Sequence, residues 1–377
     1  MASASVDRRP SGKYRARWRE LDGTQRAKHF DSELEAEQHL ITVQADMLRG
    51  TYLDPARGKV TFGVFAEAWR KAQVHQESTA IRTETMIRLH MAVWSHRPLG
   101  SIRPSEVQAW VKGLSVDQDE PKRKALAPSY VAGIAHLFST IMSAAVIDKM
   151  IIESPVVNLS LPVVDEERIV PLEPPVVLAI AEHIRDELGV AVLTSAMSGL
   201  RISEVTGLTV DRVDFVGREI VVDQQVWWPP HRGWEFKRPK TKASRRVIPM
   251  PERLSIELAR HIEQYELGDS GLIFHSATGA PWRRGLVQDA LNKAVLAVGA
   301  PEGTTWHDFR HFYASVLIRG GASVKVVQAR LGHAKASETL DTYAHLWPAE
   351  DDETRLVIDG VFGTVEDRLR TKPRSIG

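Results

Sequence analysis

Between Tyr14 and Phe30 the chain alternates: Tyr14, Ala16 and Trp18 fall on one side, Arg15, Arg17 and Arg19 on the other. A period of two is that of a strand with one buried face and one basic face. Asp22-Gly23 suits a two-residue hairpin turn, and Thr24 to Phe30 supplies the returning strand. Ser32 and Glu35 stand at capping-box spacing and predict a helix through about Leu48, ended by Gly50. A small sheet backed by one helix, with arginines on its open face, is shaped to enter a major groove. A plain structural hairpin is the competing reading.

From residue 61 the period becomes helical. Phe62, Phe65 and Trp69 recur at helical spacing, Thr79 to Trp94 is a second periodic run, and Pro104 suits the first turn of a helix carrying Val107, Trp110 and Val111. Ser115 to Pro128, with its PKRK, reads as a loop, and Ser129 to Lys149 as a long helix whose Phe138, Ile141 and Met142 are core. The stretch SLPVVDEERIVPLEPP then interrupts regular structure with four prolines and sets a boundary near residue 163. Beyond it, helices surround a short sheet: Glu219 to Trp228 reads as one strand and Arg245 to Met250 as its partner, with Lys240 on the hairpin between them. The pattern is multidomain and mainly α with small β-sheets, in modules 1–60, 61–163 and 164–377.

Composition narrows the class. The 377 residues are 43% hydrophobic and 26% charged, as in soluble globular proteins. No stretch of eighteen uninterrupted apolar residues occurs and no signal-peptide pattern opens the chain, so a cytoplasmic protein, with no membrane partner, is expected. The absence of cysteine excludes disulfides, thiolate–zinc sites and a cysteine nucleophile. The net charge of +1 conceals local basic runs: Met1 to Phe30 holds eight Lys/Arg against three acids, and KRPKTKASRR, Lys237 to Arg246, holds six and none. One such run is ordinarily a solvated face. Two in different modules favour a polyanion, because each neutralised phosphate releases counterions.

Reactive side chains concentrate in the third module. SGLRISEV puts Arg201 after a glycine turn at the mouth of a helix, and the basic run carries Lys240. TWHDFRHFYAS sets His307 and Arg310 on one face of a helix that Gly320-Gly321 would end. LGHAKASETLDTYAH supplies His333 and Tyr343. Singly, each has an ordinary structural explanation, as a surface pair, a core histidine or a packing tyrosine. Their order and chemical coherence argue otherwise.

The set resembles the tyrosine recombinases, or phage-type integrases, over roughly Leu172 to Leu346. Arg201 in GLRISE matches the family's first arginine, Lys240 in PKT its hairpin lysine, His307-x-x-Arg310 its HxxR box, His333 in LGH its second histidine, and Tyr343 in DTYAH its nucleophile. The earlier modules are similar in organisation to integrases with an arm-binding domain followed by a helical, SAM-like core-binding domain. The resemblance implies that Tyr343 forms a 3′-phosphotyrosyl link, that Arg201 and Arg310 bind the scissile phosphate, and that Lys240 protonates the departing 5′-oxygen. It further implies that His333 donates to the phosphate and that His307 orients or deprotonates Tyr343. Arg15, Arg17, Arg19 and Lys242 are candidate DNA contacts. The resemblance also implies paired double-stranded arm and core attachment sites, a tetramer on DNA, a host DNA-bending protein and an excisionase-like factor, a place at the bacterial nucleoid, and no metal or nucleotide cofactor.

Rival readings attach to particular residues. HDFRH, His307 to His311, approximates the zinc motif HExxH, although Asp308 replaces the glutamate and Arg310 would repel the cation. If that reading fails, His311 is structural. Lys237 and Lys242 compete with Lys240, which the PKT match favours. A non-catalytic DNA-binding regulator, a topoisomerase-like relative, and a chromosome- or plasmid-dimer resolvase are the functional alternatives; the basic first module favours integration over dimer resolution.

Overall fold

The computed structural model describes residues 4–20, 23–49, 52, 57–118, 124–163, 168–347 and 351–362. Asp22 of the expected turn, Gly50 at the expected helix end, residues 121–123 of the charged loop and 164–167 of the linker lie outside the described residues. The chain divides between Asp165 and Glu166 into two compact units.

The first unit contains two separate apolar clusters. Strands β1 (Ser5–Arg8), β2 (Tyr14–Arg19) and β3 (Gln25–Phe30) form an antiparallel sheet in that order; β1 adds to the two strands expected from the alternation. Ala16 and Trp18 pack against Ala36, Leu40 and Val43 of helix α1 (Glu33–Arg49), whose start is capped by the Ser32 hydroxyl accepting from the Glu35 amide at 3.3 Å. On the opposite face Arg15 makes a bidentate pair with Asp7 at 2.9 and 3.1 Å, and Arg17 approaches the same carboxylate at 3.3 Å. Arg15's hydrogen bonds hold the Asp7 carboxyl below its ordinary range. Two of the three arginines on this face are therefore already partnered by Asp7, and Arg19 is exposed.

Helices α2 (Phe62–Ala72), α3 (Glu77–His90), α4 (Pro104–Leu114) and α5 (Pro128–Ile147) enclose the other cluster. Pro104 occupies the first turn of α4, where the amide it lacks would have no helical partner. Helix α5 is long and apolar enough to cross a bilayer, yet Val131, Ile134, Phe138, Ile141 and Met142 are buried in this bundle, which accounts for its composition.

The second unit has a helical core around α7 (Asp186–Ser198), which packs against α6 (Pro174–His183), α9 (Glu252–Tyr265) and α11 (Trp306–Arg319). The short helix α8 (Ile202–Val205) leads to a sheet of β4 (Val213–Asp214), β5 (Glu219–Val222) and β8 (Arg246–Pro249). The expected strand Glu219 to Trp228 is two strands: β5 pairs with β8, and β6 (Gln225–Trp227) pairs with β7 (Glu235–Lys237) in a separate hairpin. Alternation within each piece is similar, so the break could only come from the choice of partner strand. Helices α10 (Arg284–Val298), α12 (Val324–Leu331) and α13 (Ala336–Tyr343) follow, with α14 (Asp351–Phe362) beyond.

Candidate active site

The end of α7, leading into α8, and the ends of α12 and α13 gather about α11, and the β7–β8 loop meets the end of α12. Gly199 ends α7 with φ +67°, where a Cβ would stand 2.4 Å from the Tyr313 ring; only glycine allows this turn, and two residues later Arg201 begins α8. Arg310, one turn after His307 on α11, is 1% exposed and donates to the Gly199 carbonyl at 2.6 Å and to the Leu331 carbonyl. It thereby ties the end of α7 to the end of α12. Helix α11 itself starts at Thr305, whose amide and hydroxyl donate to Asp308 at 2.7 and 2.8 Å. Asp308 is thus the helix-capping acid, which is not the role the zinc reading requires.

Gly332, at φ +69°, brings α12 against the loop after β7: a Cβ there would lie 3.1 Å from the Ala243 carbonyl oxygen and the Ser244 Cα. The same junction is held by Arg246 Nε donating to the Arg330 carbonyl at 2.7 Å and by Arg330 donating to the Val247 carbonyl at 2.9 Å. Lys240 and Lys242 are exposed on this loop, whereas the Lys237 ammonium stands 4.0 Å from the Trp227 ring centroid in a cation–π contact. His333 follows Gly332, and its Nδ1 is 2.9 Å from the Thr339 hydroxyl of α13. Tyr343 ends α13, 1% exposed among Tyr313, Ile318, Val327 and Leu331.

Three residues of this region were not singled out, or were set aside, by sequence reasoning. Glu204, 3% exposed, accepts from Arg246 at 2.9 and 3.2 Å, from Arg201 NH1 at 3.1 Å and from the Arg201 amide at 2.9 Å. Burial alone would raise its pKa, but Arg246 and Arg201 hold it below the ordinary carboxylate range. Only its place three residues after Arg201 hints at this, since Arg246 is distant in sequence. Arg246, the partner of Glu204, is the second, and the third is His311, whose Nδ1 is 2.7 Å from the Tyr343 hydroxyl. The resemblance implies that His307 orients the tyrosine; here the hydrogen-bonding histidine is His311, which is therefore more than structural filler. His307 instead meets the His311 ring edge-on, centroids 4.5 Å apart.

The electrostatics follow from packing cations where water is scarce. Burial, then Arg201, pushes Arg310 down to about 9. Burial and the charges of Arg310 and Arg201 lower His307, and the same causes push His333 down to about 4. Burial pushes the Tyr343 phenol up to about 12, against the opposing pull of Arg310 and Arg201. The region combines two guanidiniums, neutral imidazoles and an un-ionised phenol, a set suited to binding an oxyanion beside a nucleophile.

Comparison with known proteins places this region in a family. Residues 167–350 match the model of the phage integrase family. That segment belongs to the phage integrase family, whose members are tyrosine recombinases. Its relatives include an integrase of Staphylococcus phage L54a, 28% identical over 177 residues, which are 43% of this chain and 49% of the relative. A transposase from transposon Tn916 of Enterococcus faecalis is 29% identical over 171 residues, 41% of each protein. The tyrosine recombinase XerC of Rhizobium meliloti is 32% identical over 96 residues, 25% of this chain and 30% of that protein. The chain spans about half the length, or less, of these curated relatives. Among solved structures, the Tn1549 transposon integrase in complex with a circular intermediate DNA superposes with a TM-score of 0.68 at 22% identity, over 80% of this chain and 99% of that one. A lambda integrase tetramer bound to a Holliday junction gives 0.56 at 17% identity, over 88% and 96%. These likenesses establish the fold as that of the tyrosine recombinase integrases.

The buried imidazoles of this segment make its stability depend on pH. His333 and His311 titrate near 6.5 when unfolded and near 4 when folded. Between those values the unfolded chain binds more protons, so stability is full above about 6.5 and declines as pH falls toward 4. Urea unfolding followed by circular dichroism at stepped pH should show that decline, and His333→Asn should make it shallower.

Proposed function

We propose that this protein is a site-specific DNA recombinase that cuts and rejoins strands through a 3′-phosphotyrosyl intermediate, and that it integrates one DNA into another. The observation that carries the reading is the arrangement about Tyr343: a hydroxyl at the end of α13 under the influence of both Arg201 and Arg310, with the Lys240 loop docked at Gly332 beside His333. In this reading the Tyr343 oxygen attacks the scissile phosphorus, and the guanidiniums stabilise the nonbridging oxygens as charge builds in the transition state. His333 donates to the same phosphate. Bond energy is conserved in the phosphotyrosyl link, so a 5′-hydroxyl of the partner duplex can attack it and release the tyrosine without a nucleotide cofactor.

Trapping on a nicked suicide duplex tests this directly: a denaturing gel should retain protein on DNA, and peptide mapping should find the link on Tyr343. No covalent species, or a link elsewhere, overturns the reading. Lys240 is the proposed acid for the departing 5′-oxygen. Lys240→Ala should slow cleavage by about 10²–10⁴-fold and regain most of the rate on a substrate whose 5′ leaving atom is sulfur, which departs without a proton. If Lys242→Ala shows that rescue instead, the acid is its neighbour.

The integrating role is supported by relatives named as an integrase and a transposase, and by the basic sheet of residues 1–60, here read as an arm-binding module ahead of a core-binding bundle, 61–163. Paired attachment sites, a tetramer on DNA, a bending protein and an excisionase-like factor belong to the same proposal. The likeness to XerC favours a second reading, dimer resolution. Joining two different sites supports the first; recombination confined to identical sites supports the second.

A further inference from the structure

His311 makes the contact that a proton acceptor for the nucleophile would make. Its Nδ1 lies 2.7 Å from the Tyr343 oxygen, with the rings 5.5 Å apart and inclined at 65°. The other histidines of the region face elsewhere: His333 Nδ1 meets the Thr339 hydroxyl, and His307 presents its ring to His311. The stiffness of helix α11, capped at Thr305 and anchored by Arg310, fixes the imidazole against the end of α13. His311 also lines a cleft of about 580 Å³ with Ile169, Leu172, Val176, Thr304 and Asp308 among its walls.

We propose that His311, rather than His307, positions Tyr343 and takes its phenolic proton as the bond to phosphorus forms. The inference rests on the recombinase reading above and assigns a role inside it. With its own proton on Nε2, the imidazole offers the Nδ1 lone pair to the phenol. As Tyr343 Oη bonds to phosphorus, its proton passes to Nδ1; the bond from phosphorus to the 5′-oxygen breaks, and that oxygen takes a proton from Lys240. Religation runs in reverse, with the departing phenolate recovering its proton from His311. A phenol pushed up to about 12 does not ionise unaided; an imidazole pushed down to about 4 by burial, His307 and Arg310 is neutral and able to accept at neutral pH, but is a weak base until its surroundings change. A phosphodiester anion beside Arg201 and Arg310 screens those cations and raises the imidazole's basicity at the step that uses it.

The test pairs His311→Ala and His311→Asn with a fluorinated tyrosine at position 343 in the full chain. The more acidic phenol depends less on a base. The expected result is a loss of about 10²–10⁴-fold in suicide-substrate cleavage for both variants, largely regained with fluorotyrosine, while gel-shift affinity stays unchanged. His311→Asn keeps a polar acceptor near the phenol, and circular dichroism reports whether it is folded. Cleavage at the parental rate in either variant overturns the inference, as does a loss that fluorotyrosine fails to repair, or rescue appearing in His307→Ala instead. A parent protein that forms no Tyr343 adduct overturns the recombinase reading itself, a different and distinguishable failure.

Discussion

Replacement of Tyr343 by phenylalanine is expected to leave no covalent protein–DNA species while binding persists. The substitution removes one oxygen from a side chain that is 1% exposed, so the apolar packing with Tyr313, Ile318, Val327 and Leu331 remains. Its structural consequence is limited to the lost hydrogen bond with His311, about 1 kcal/mol. Its chemical consequence is complete, because a phenyl ring has no atom that can attack phosphorus. Gel shift and a suicide-substrate denaturing gel on the same preparation separate the two effects. Adduct formation by the phenylalanine variant would move the nucleophile to another residue and remove the basis of the functional reading.

Arg310→Ala is expected to reduce cleavage by about 10³–10⁵-fold, the range seen when a transition-state arginine is removed from phosphoryl transfer. Stability should change far less. Loss of the guanidinium leaves the Gly199 and Leu331 carbonyls without their donor, at roughly 1–3 kcal/mol each. Against this, a cation already pushed down to about 9 by burial and by Arg201 is no longer held in a region that disfavours it. The two effects oppose each other, so urea unfolding should report a net destabilisation of about 2 kcal/mol. Arg310→Lys keeps charge but cannot reach both carbonyls with one planar group, and should recover little of the rate. A variant that unfolds outright would mean that Arg310 acts mainly as a strut.

The elements legible in sequence were those whose patterns are local. Alternation in Tyr14 to Trp18 and the Ser32 cap mark the first sheet and helix, and Pro104 marks the start of α4, because burial on one face and helix-end chemistry act within a few residues. Strand β1 was missed: four residues without clear alternation become a strand only by pairing with β2. The division of Glu219 to Trp228 into β5 and β6 was likewise invisible, since partner choice is a long-range property. On the basic face of the first sheet, sequence showed the arginines and the structure added Asp7, which occupies two of them.

For the site, the residue types and their order belonged to the sequence alone: two arginines, two histidines and a tyrosine, each beside a glycine turn or on a helix face, and a lysine in a basic run. Pairing belonged to the tertiary structure. Glu204 meets Arg246 across 42 residues and His311 meets Tyr343 across 32, contacts that no local period encodes. Side-chain chemistry is a property of composition, but hydrogen bonds and pKa shifts arise from distance and burial, which exist only once the chain has closed on itself.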